Sequence, residues 1–345
     1  MKKTKLLCLV LAALMVLFAF AACGETKQPD TTTAGTSADT SADTEATTEA
    51  EPAAKQYVVG ICQLVQHPAL DAATQGFMDA LNEALPGQVT FQNKNASGET
   101  NNCATIVNGF VSDKVDLIMA NATPALTAAA SATADIPILG TSITAYGVAL
   151  DIDNFNGTVG GNISGTSDLA DLAQQAAMIT EWFPATQKVA LLFCSAEANS
   201  RYQIEEVAKY LAEKNIETKE FAFTDTNDVT SVAQAACDWA DVIYIPTDNT
   251  AASNTEAIAN VLVPAGKPAI CGEEGICSGC GVATLSISYY DLGVTTGKMA
   301  AKILTGEADI STMPVEYTNA TAKYNASMCQ TLGITPLDGY TAIED

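Results

Sequence analysis

Continuous apolar runs alternate with segments of helical periodicity over most of this chain, and that alternation most restricts how it folds. From Tyr57, "YVVGIC" reads as a buried strand. "ALDAATQGFMDALNEAL" then sets Leu70, Phe77, Leu81 and Leu85 at helical spacing and stops at Pro86-Gly87. "QVTFQNKN" is a strand, "GETNNCATIVNGFVSD" a helix and "VDLIMAN" a strand; a helix opens at "TPAL", and "IPILG" is a fourth strand. A second series follows. Its strands are "KVALLFCS", "ETKEFAF", "DVIYIPT" and "KPAICG". Its helices are "DLAQQAAMITEWF", "EANSRYQIEEVAKYLAEKN", "DVTSVAQAACDWA" and "NTEAIANVLVPA". Such strands, apolar on both faces, indicate parallel sheets covered by helices on each side. Two series indicate two lobes of one α/β architecture, alike in pattern without a residue-level repeat.

The helix "YYDLGVTTGKMAAKILTGE" comes after the second series closes, with Leu292, Met299 and Ile303 on its apolar face. If several strands cross between the lobes, it can return to the first. The expected lobes are residues 56–166 with 289–318, and 167–288 with 319–345. Ligands of such folds bind at the carboxyl ends of the strands, here in the cleft between lobes.

The amino-terminal end has a different character. Lys2, Lys3 and Lys5 precede an apolar run that ends "FAFAAC". Residues 1–22 have the three regions of a secretory signal, and the small residues before Cys23 suit a bacterial lipoprotein, in which that cysteine carries the lipid. The alternative is an ordinary signal peptide. The apolar run is short for a membrane span. Residues 23–55 are Thr, Ala, Asp, Glu and Ser with almost no large apolar side chain, too little to offset ordering entropy, so a disordered tether is expected. The formal charge is -24 and the pI about 4.1. Such a surface repels phosphate backbones and excludes nucleic acid as a partner.

The ten cysteines form no disulfide framework. Cys62, Cys194 and Cys271 sit in strand-like runs and read as buried thiols. Cys277 and Cys280, in "CSGC", have no second pair or histidine at zinc spacing, so no metal is expected there. They read as two free thiols or a local disulfide in a loop.

Catalytic constellations are also missing. There is no G-x-S-x-G elbow and no glycine-rich phosphate loop, and the single histidine, His67, precedes a proline at a helix start. His67 is expected to line the cleft or orient its first loop. No catalytic residue and no cofactor is assigned. The loops that follow the strands are instead polar: "QLVQHPALD", "NATPAL", "GTSIT", "SGTSD", "CSAEANS", "PTDNTAAS" and "CGEEG". Hydroxyls, amides and helix N-termini suit a carboxylate, and acids across the cleft suit an amine.

The segments "QLVQHPALDAATQGF", "NATPAL", "GTSD", "SAEANSRYQIEEV", "PTDNT", "GEEG" and "YYDLGVTTGKMAAKILTGE" occur in order across residues 57–318. With them the chain resembles the substrate-binding lipoproteins of ABC importers, in the family with tryptophan- and tyrosine-binding members. Gln66, "SITAYGVAL" and the Cys277–Cys280 segment depart from that pattern. The resemblance implies a type I periplasmic-binding-protein fold, two Rossmann-like lobes joined by a multi-strand hinge, with a free aromatic amino acid between them. It also implies permease and ATPase partners and an extracytoplasmic place at the membrane. Polar-loop chemistry suits such a zwitterion. Thr123, Ser142, Asn199 and Ser200 are candidates for its carboxylate. Asp248 is the first candidate for its ammonium, with Asp168 and Glu273 as further acids, and Gln63 and Asn249 complete the hydrogen bonding. The rival readings are a lipoprotein that senses a ligand for a signalling receptor, and an enzyme on the same scaffold.

One test follows from the amino-terminal reading. Cys23→Ala is expected to leave the membrane fraction or remain unprocessed; processed variant retained at the membrane would contradict lipidation.

Overall fold

The computed structural model describes residues 55–344. The signal segment, Cys23 and nearly all of the tether lie outside them. The first lobe is built from β1 (Tyr57–Gln63), α1 (Pro68–Ala84), β2 (Val89–Asn95), α2 (Thr100–Asp113), β3 (Leu117–Asn121), α3 (Thr123–Ala132), β4 (Ile138–Ile143), α4 (Tyr146–Ala149) and β5 (Ile163–Ser167). The second follows with α5 (Leu172–Trp182), β6 (Lys188–Cys194), α6 (Ala198–Glu213), β7 (Glu217–Phe223), α7 (Val229–Trp239), β8 (Val242–Ile245), α8 (Asn249–Ala252), α9 (Thr255–Leu262), β9 (Ala269–Cys271), α10 (Glu274–Cys280) and β10 (Ala283–Ser286). The chain ends with α11 (Tyr289–Thr305), β11 (Glu316–Tyr317), β12 (Thr321–Tyr324), α12 (Ala326–Leu332) and β13 (Thr341–Ala342).

The strands form two sheets. One runs β11-β5-β4-β3-β1-β2 and is parallel throughout. The other runs β13-β12-β10-β9-β8-β6-β7, with β10 and β12 the antiparallel pair. Central strands are buried end to end: every residue of β3, β4, β5, β8 and β10 is inaccessible or nearly so. This is what continuous apolar or small-residue runs require when helices cover both faces. The chain passes between the sheets after β5, after β10 and after β11. Each sheet is therefore built from discontinuous segments.

Helix α11 packs along α1 on the first sheet. Its Leu292, Met299 and Ala300 are buried, and glycines allow close approach of the two backbones. A Cβ on Gly293 would run into the carbonyl of Ala73, and one on Gly76 into that of Tyr290.

Two segments differ from the sequence expectation. The helix expected across "NTEAIANVLVPA" is preceded by a separate turn of helix, α8, inside what reads as the "PTDNTAAS" loop. Cys277 and Cys280 lie on α10, not in a loop, because Glu273 caps that helix through the backbone N–H groups of Gly275 and Ile276. Their thiols are buried beside Cys271, and all eight described cysteines are free. Among the described residues no helix is long and apolar enough to cross a membrane.

Gly293→Ala is expected to lower the melting temperature, because overpacking a close helix contact costs about 1–3 kcal/mol. A variant that melts with the parent would show that α1 and α11 can move apart freely.

Candidate functional site

Strand ends of both sheets meet at a small cavity. His67, Leu70, Ser142, Thr144, Asp168, Asn199, Thr247, Asp248, Asn249, Ala252, Glu273 and Tyr289 line it. Its volume is about 10 Å³, room for about one water molecule. Around this cavity the lobes are closed on each other. A contact across the cleft joins them directly: His67 Nε2 lies 3.4 Å from Asn249 Oδ1.

Local structure aims these side chains. The β4–β5 ladder is irregular between Gly140 and Ile143, and Ser142 there has φ 56°. A bulge of this kind re-aims a side chain, and a serine in left-handed backbone is strained. Asp168 follows β5 immediately, and its Oδ2 accepts from the hydroxyl of Tyr289 at 3.0 Å. Asp248 precedes α8. Its Oδ1 accepts from Ala251 N at 2.8 Å and its Oδ2 from Cys194 N at 2.6 Å.

Several buried polar atoms on this wall have no partner: His67 Nδ1, Ser142 Oγ, Asp168 Oδ1 and Asn199 Oδ1. Buried polar groups are nearly always satisfied, so four such atoms around one cavity mark a place built to meet something else. Their polarity is legible. The amide of Asn199 donates to Glu197 Oε2 at 3.2 Å and to the carbonyl of Thr247 at 3.1 Å, which leaves its Oδ1 as an acceptor. The amide of Asn249 donates to Glu197 Oε2 at 2.7 Å, so its Oδ1 faces His67 as an acceptor. His67 Nε2 must then carry the proton, and neutral Nδ1 is an acceptor too. With Asp168 Oδ1, three acceptors from the two lobes face the cavity, together with the hydroxyl of Ser142.

The electrostatics agree. Asp168, Asp248 and Glu273 are 5%, 1% and 2% exposed. No Lys or Arg among the described residues pairs with them. Burial pushes Asp168 up to about 6, opposed by the nearby hydroxyls of Thr144 and Tyr289. Burial and then the nearby Glu197 push Asp248 up to about 8. Burial pushes Glu273 up to about 7, against its two backbone donors. Burial likewise holds His67 below its ordinary value, opposed by Asn249, Glu197 and Asp71.

Of the residues singled out from the sequence, Ser142, Asp168, Asn199, Asp248, Asn249 and Glu273 are on the cavity wall. Gln63, Thr123 and Ser200 are not. Gln63 is held by Val65 O, Asp71 and Thr74 at the root of the first loop. Thr123 is buried in the first turn of α3, which starts at a strained Ala122 (φ 88°). Ser200 is fully buried against the carbonyl of Thr247. Asp248, ranked first for an ammonium, has both oxygens occupied by backbone N–H groups, whereas Asp168 keeps one free. Asn199 presents an acceptor, so it suits an amine and not the carboxylate first paired with it. Leu70, Thr144, Thr247, Ala252 and Tyr289 were not singled out. Tyr289 opens the helix that returns from the second lobe, and only the hinge crossing brings it to Asp168. Among the described residues no group of three or more His, Cys, Asp or Glu side chains is placed to hold a metal.

A two-lobed α/β scaffold with an enclosed polar site at the lobe boundary defines a hinged solute-binding protein. The family model described as "ABC transporter substrate binding protein" matches residues 58–340, and the chain belongs to that family. It is 32% identical over 267 residues to the tyrosine-binding protein of Clostridioides difficile (strain R20291), covering 76% of each chain. A crystal structure from Streptococcus pneumonia in complex with L-Trp superposes with a TM-score of 0.79 at 30% identity, over 84% of this chain and 100% of that one. A ligand-free, open substrate-binding protein with adhesive properties from Clostridium difficile is 31% identical and covers 84% and 99%, but its TM-score is 0.64. The lower score against an open form agrees with the closed lobes seen here. The fold is that of type I periplasmic binding proteins, and the family is one of binding proteins, not enzymes.

The raised acids set a pH dependence. An acid whose folded pKa lies above its unfolded value binds more protons in the folded state, so its contribution is present below about pH 4 and is lost as pH rises. For Asp168 the loss runs through about 6, and for Glu273 and Asp248 through about 7 and 8. Ligand-free protein is expected to melt lower at pH 8.5 than at pH 5. Asp168→Asn should melt with a shallower slope between pH 4 and about 6, and equal slopes would show that Asp168 ionises freely in the folded state.

Proposed function

We propose that this protein is the extracytoplasmic, lipid-anchored solute-binding component of an ABC importer, and that it closes its lobes around a free aromatic amino acid. The observation that carries the reading is the set of unpartnered acceptors on one buried wall, Asp168 Oδ1, Asn199 Oδ1 and His67 Nδ1. An ammonium has three N–H donors and a positive charge, and it meets both the geometry and the surplus of buried carboxylates. In this reading the Ser142 hydroxyl, unpartnered and with Thr144 beside it on the wall, takes the ligand carboxylate. Tyrosine and tryptophan, named for two relatives, are the side chains to test first.

Residues 56–166 with 289–318, and 167–288 with 319–345, act as the two moving bodies. A cavity of about 10 Å³ admits no amino acid, so the lobes must part at the three crossings for entry. Binding then favours the closed form by as much as the ligand prefers it. The lipid on Cys23 and the acidic tether would keep the closed form beside a permease, whose ATPase drives uptake.

Isothermal titration with L-tryptophan, L-tyrosine, L-phenylalanine and L-leucine tests the assignment. At least one aromatic ligand is expected to bind well below millimolar; four failures would end the aromatic reading. Asp168→Asn should cost several hundredfold in affinity, since a buried charge deprived of its partner costs about 3–5 kcal/mol. Binding undiminished in that variant would remove Asp168 from the ammonium site.

A further inference from the structure

Glu197 does not line this small cavity but borders the wider pocket next to it, and it holds two residues of the cavity wall. Its Oε2 accepts from Asn249 N at 3.0 Å, Asn249 Nδ2 at 2.7 Å and Asn199 Nδ2 at 3.2 Å. Its Oε1 accepts from Thr250 N at 2.9 Å and Thr250 Oγ1 at 2.8 Å. The side chain is buried and, among the described residues, meets no Lys or Arg. Five neutral donors thus replace the cation that a buried carboxylate ordinarily requires.

A carboxamide has one donor end and one acceptor end, so whatever holds its NH₂ decides where its oxygen points. Glu197 holds the NH₂ of Asn199, whose Oδ1 is left facing the cavity without a partner. It also holds the NH₂ of Asn249, whose Oδ1 is turned to His67 across the cleft. We propose that Glu197 is a positioning residue that fixes the polarity of the second lobe's wall, so that the closed cleft selects a ligand carrying a primary ammonium and discriminates against the same ligand without it. The proposal rests on the amine-binding reading above and adds what enforces it.

Glutamine at this position keeps size and shape but has one acceptor end. If that end stays on Thr250, the new NH₂ faces Asn249 N and both asparagine amides, and the amides are released to turn. If it faces the asparagines, the N–H of Thr250 meets a donor. Either way, the five-donor arrangement cannot survive.

The test uses the full chain, with paired probes that differ only in the amine: L-tyrosine against 3-(4-hydroxyphenyl)propanoate, and L-tryptophan against indole-3-propanoate. The parent is expected to prefer the amino acid by about a hundredfold or more, as sites built to hydrogen-bond a polar group do. In Glu197→Gln that preference should shrink by at least about tenfold through weaker binding of the amino acid, with the desamino acid changed less than about threefold. Glu197→Asp, which keeps the carboxylate one methylene shorter, should fall between them. Equal loss for both members of a pair would make Glu197 merely structural and overturn the proposal, while leaving the amine reading intact. A parent that fails to distinguish the pair, or binds neither, would overturn both. If Glu197→Gln lacks a cooperative melt, Glu197→Asp decides: an unchanged preference overturns the positioning role, and a reduced one supports it.

Discussion

Carboxylates buried at the lobe boundary without cations are the constraint on which this structure turns. Asp168, Glu197, Asp248 and Glu273 are all nearly inaccessible, and among the described residues none of them meets a Lys or Arg. Each solves the problem differently. Asp248 spends its oxygens on the backbone N–H groups of Ala251 in α8 and Cys194 at the end of β6, and Glu273 spends its own on those of Gly275 and Ile276 at the start of α10. Glu197 collects five donors from three residues. Asp168 alone keeps an unpartnered oxygen, and it does so on the wall that both lobes share. A charge left in that state is stable only when a cation arrives or a proton does, and its pKa near 6 reflects the second course.

The same residues tie recognition to closure. His67 at the start of α1 and Asn249 at the start of α8 come from different lobes and touch across the cleft. Asp168 and Tyr289 sit on two of the three crossings, so the acid facing the cavity is held by the hinge itself. Under the proposed function, a ligand that satisfied the open acceptors would act on the lobe equilibrium directly, without a relay through either core. The cores are separate, one centred on β1, β3 and β4 and the other on β6, β8 and β9. A small cluster around Ala69, Ala73, Ile287, Tyr289 and Leu292 bridges from α1 to the crossing that opens α11.

Two of the non-glycine residues with positive φ lie at these strand ends. Ala122 and Ser142 both take positive φ directly after or within strands of the first sheet, where the backbone must leave the ladder and open a loop towards the cleft. Neither position holds a glycine, which would relieve the strain. At Ser142 the side chain aimed by that strain is one of the unpartnered groups on the wall, so the cost accompanies a functional group.

Much of this was readable from residues alone, for a physical reason. Apolar runs and helical periodicity record burial on strands and helices, and burial is local enough to survive in one dimension; hence the two parallel lobes, the return of the "YYDLGVTTGKMAAKILTGE" helix and the polar loops at strand ends. Residue type also identified the acids and amides that face the cleft. It did not rank them, because Asp168 and Asp248 are the same side chain until their neighbours are known. Backbone N–H groups brought by α8 and β6 occupy Asp248, and a tyrosine 121 positions away holds one oxygen of Asp168 and leaves the other free. The direction of each asparagine amide was likewise invisible in the sequence, since it is set by a glutamate and a carbonyl that only the fold brings alongside. Sequence determined which groups could recognise a solute; tertiary structure decided which of them were left with a hydrogen bond still to make.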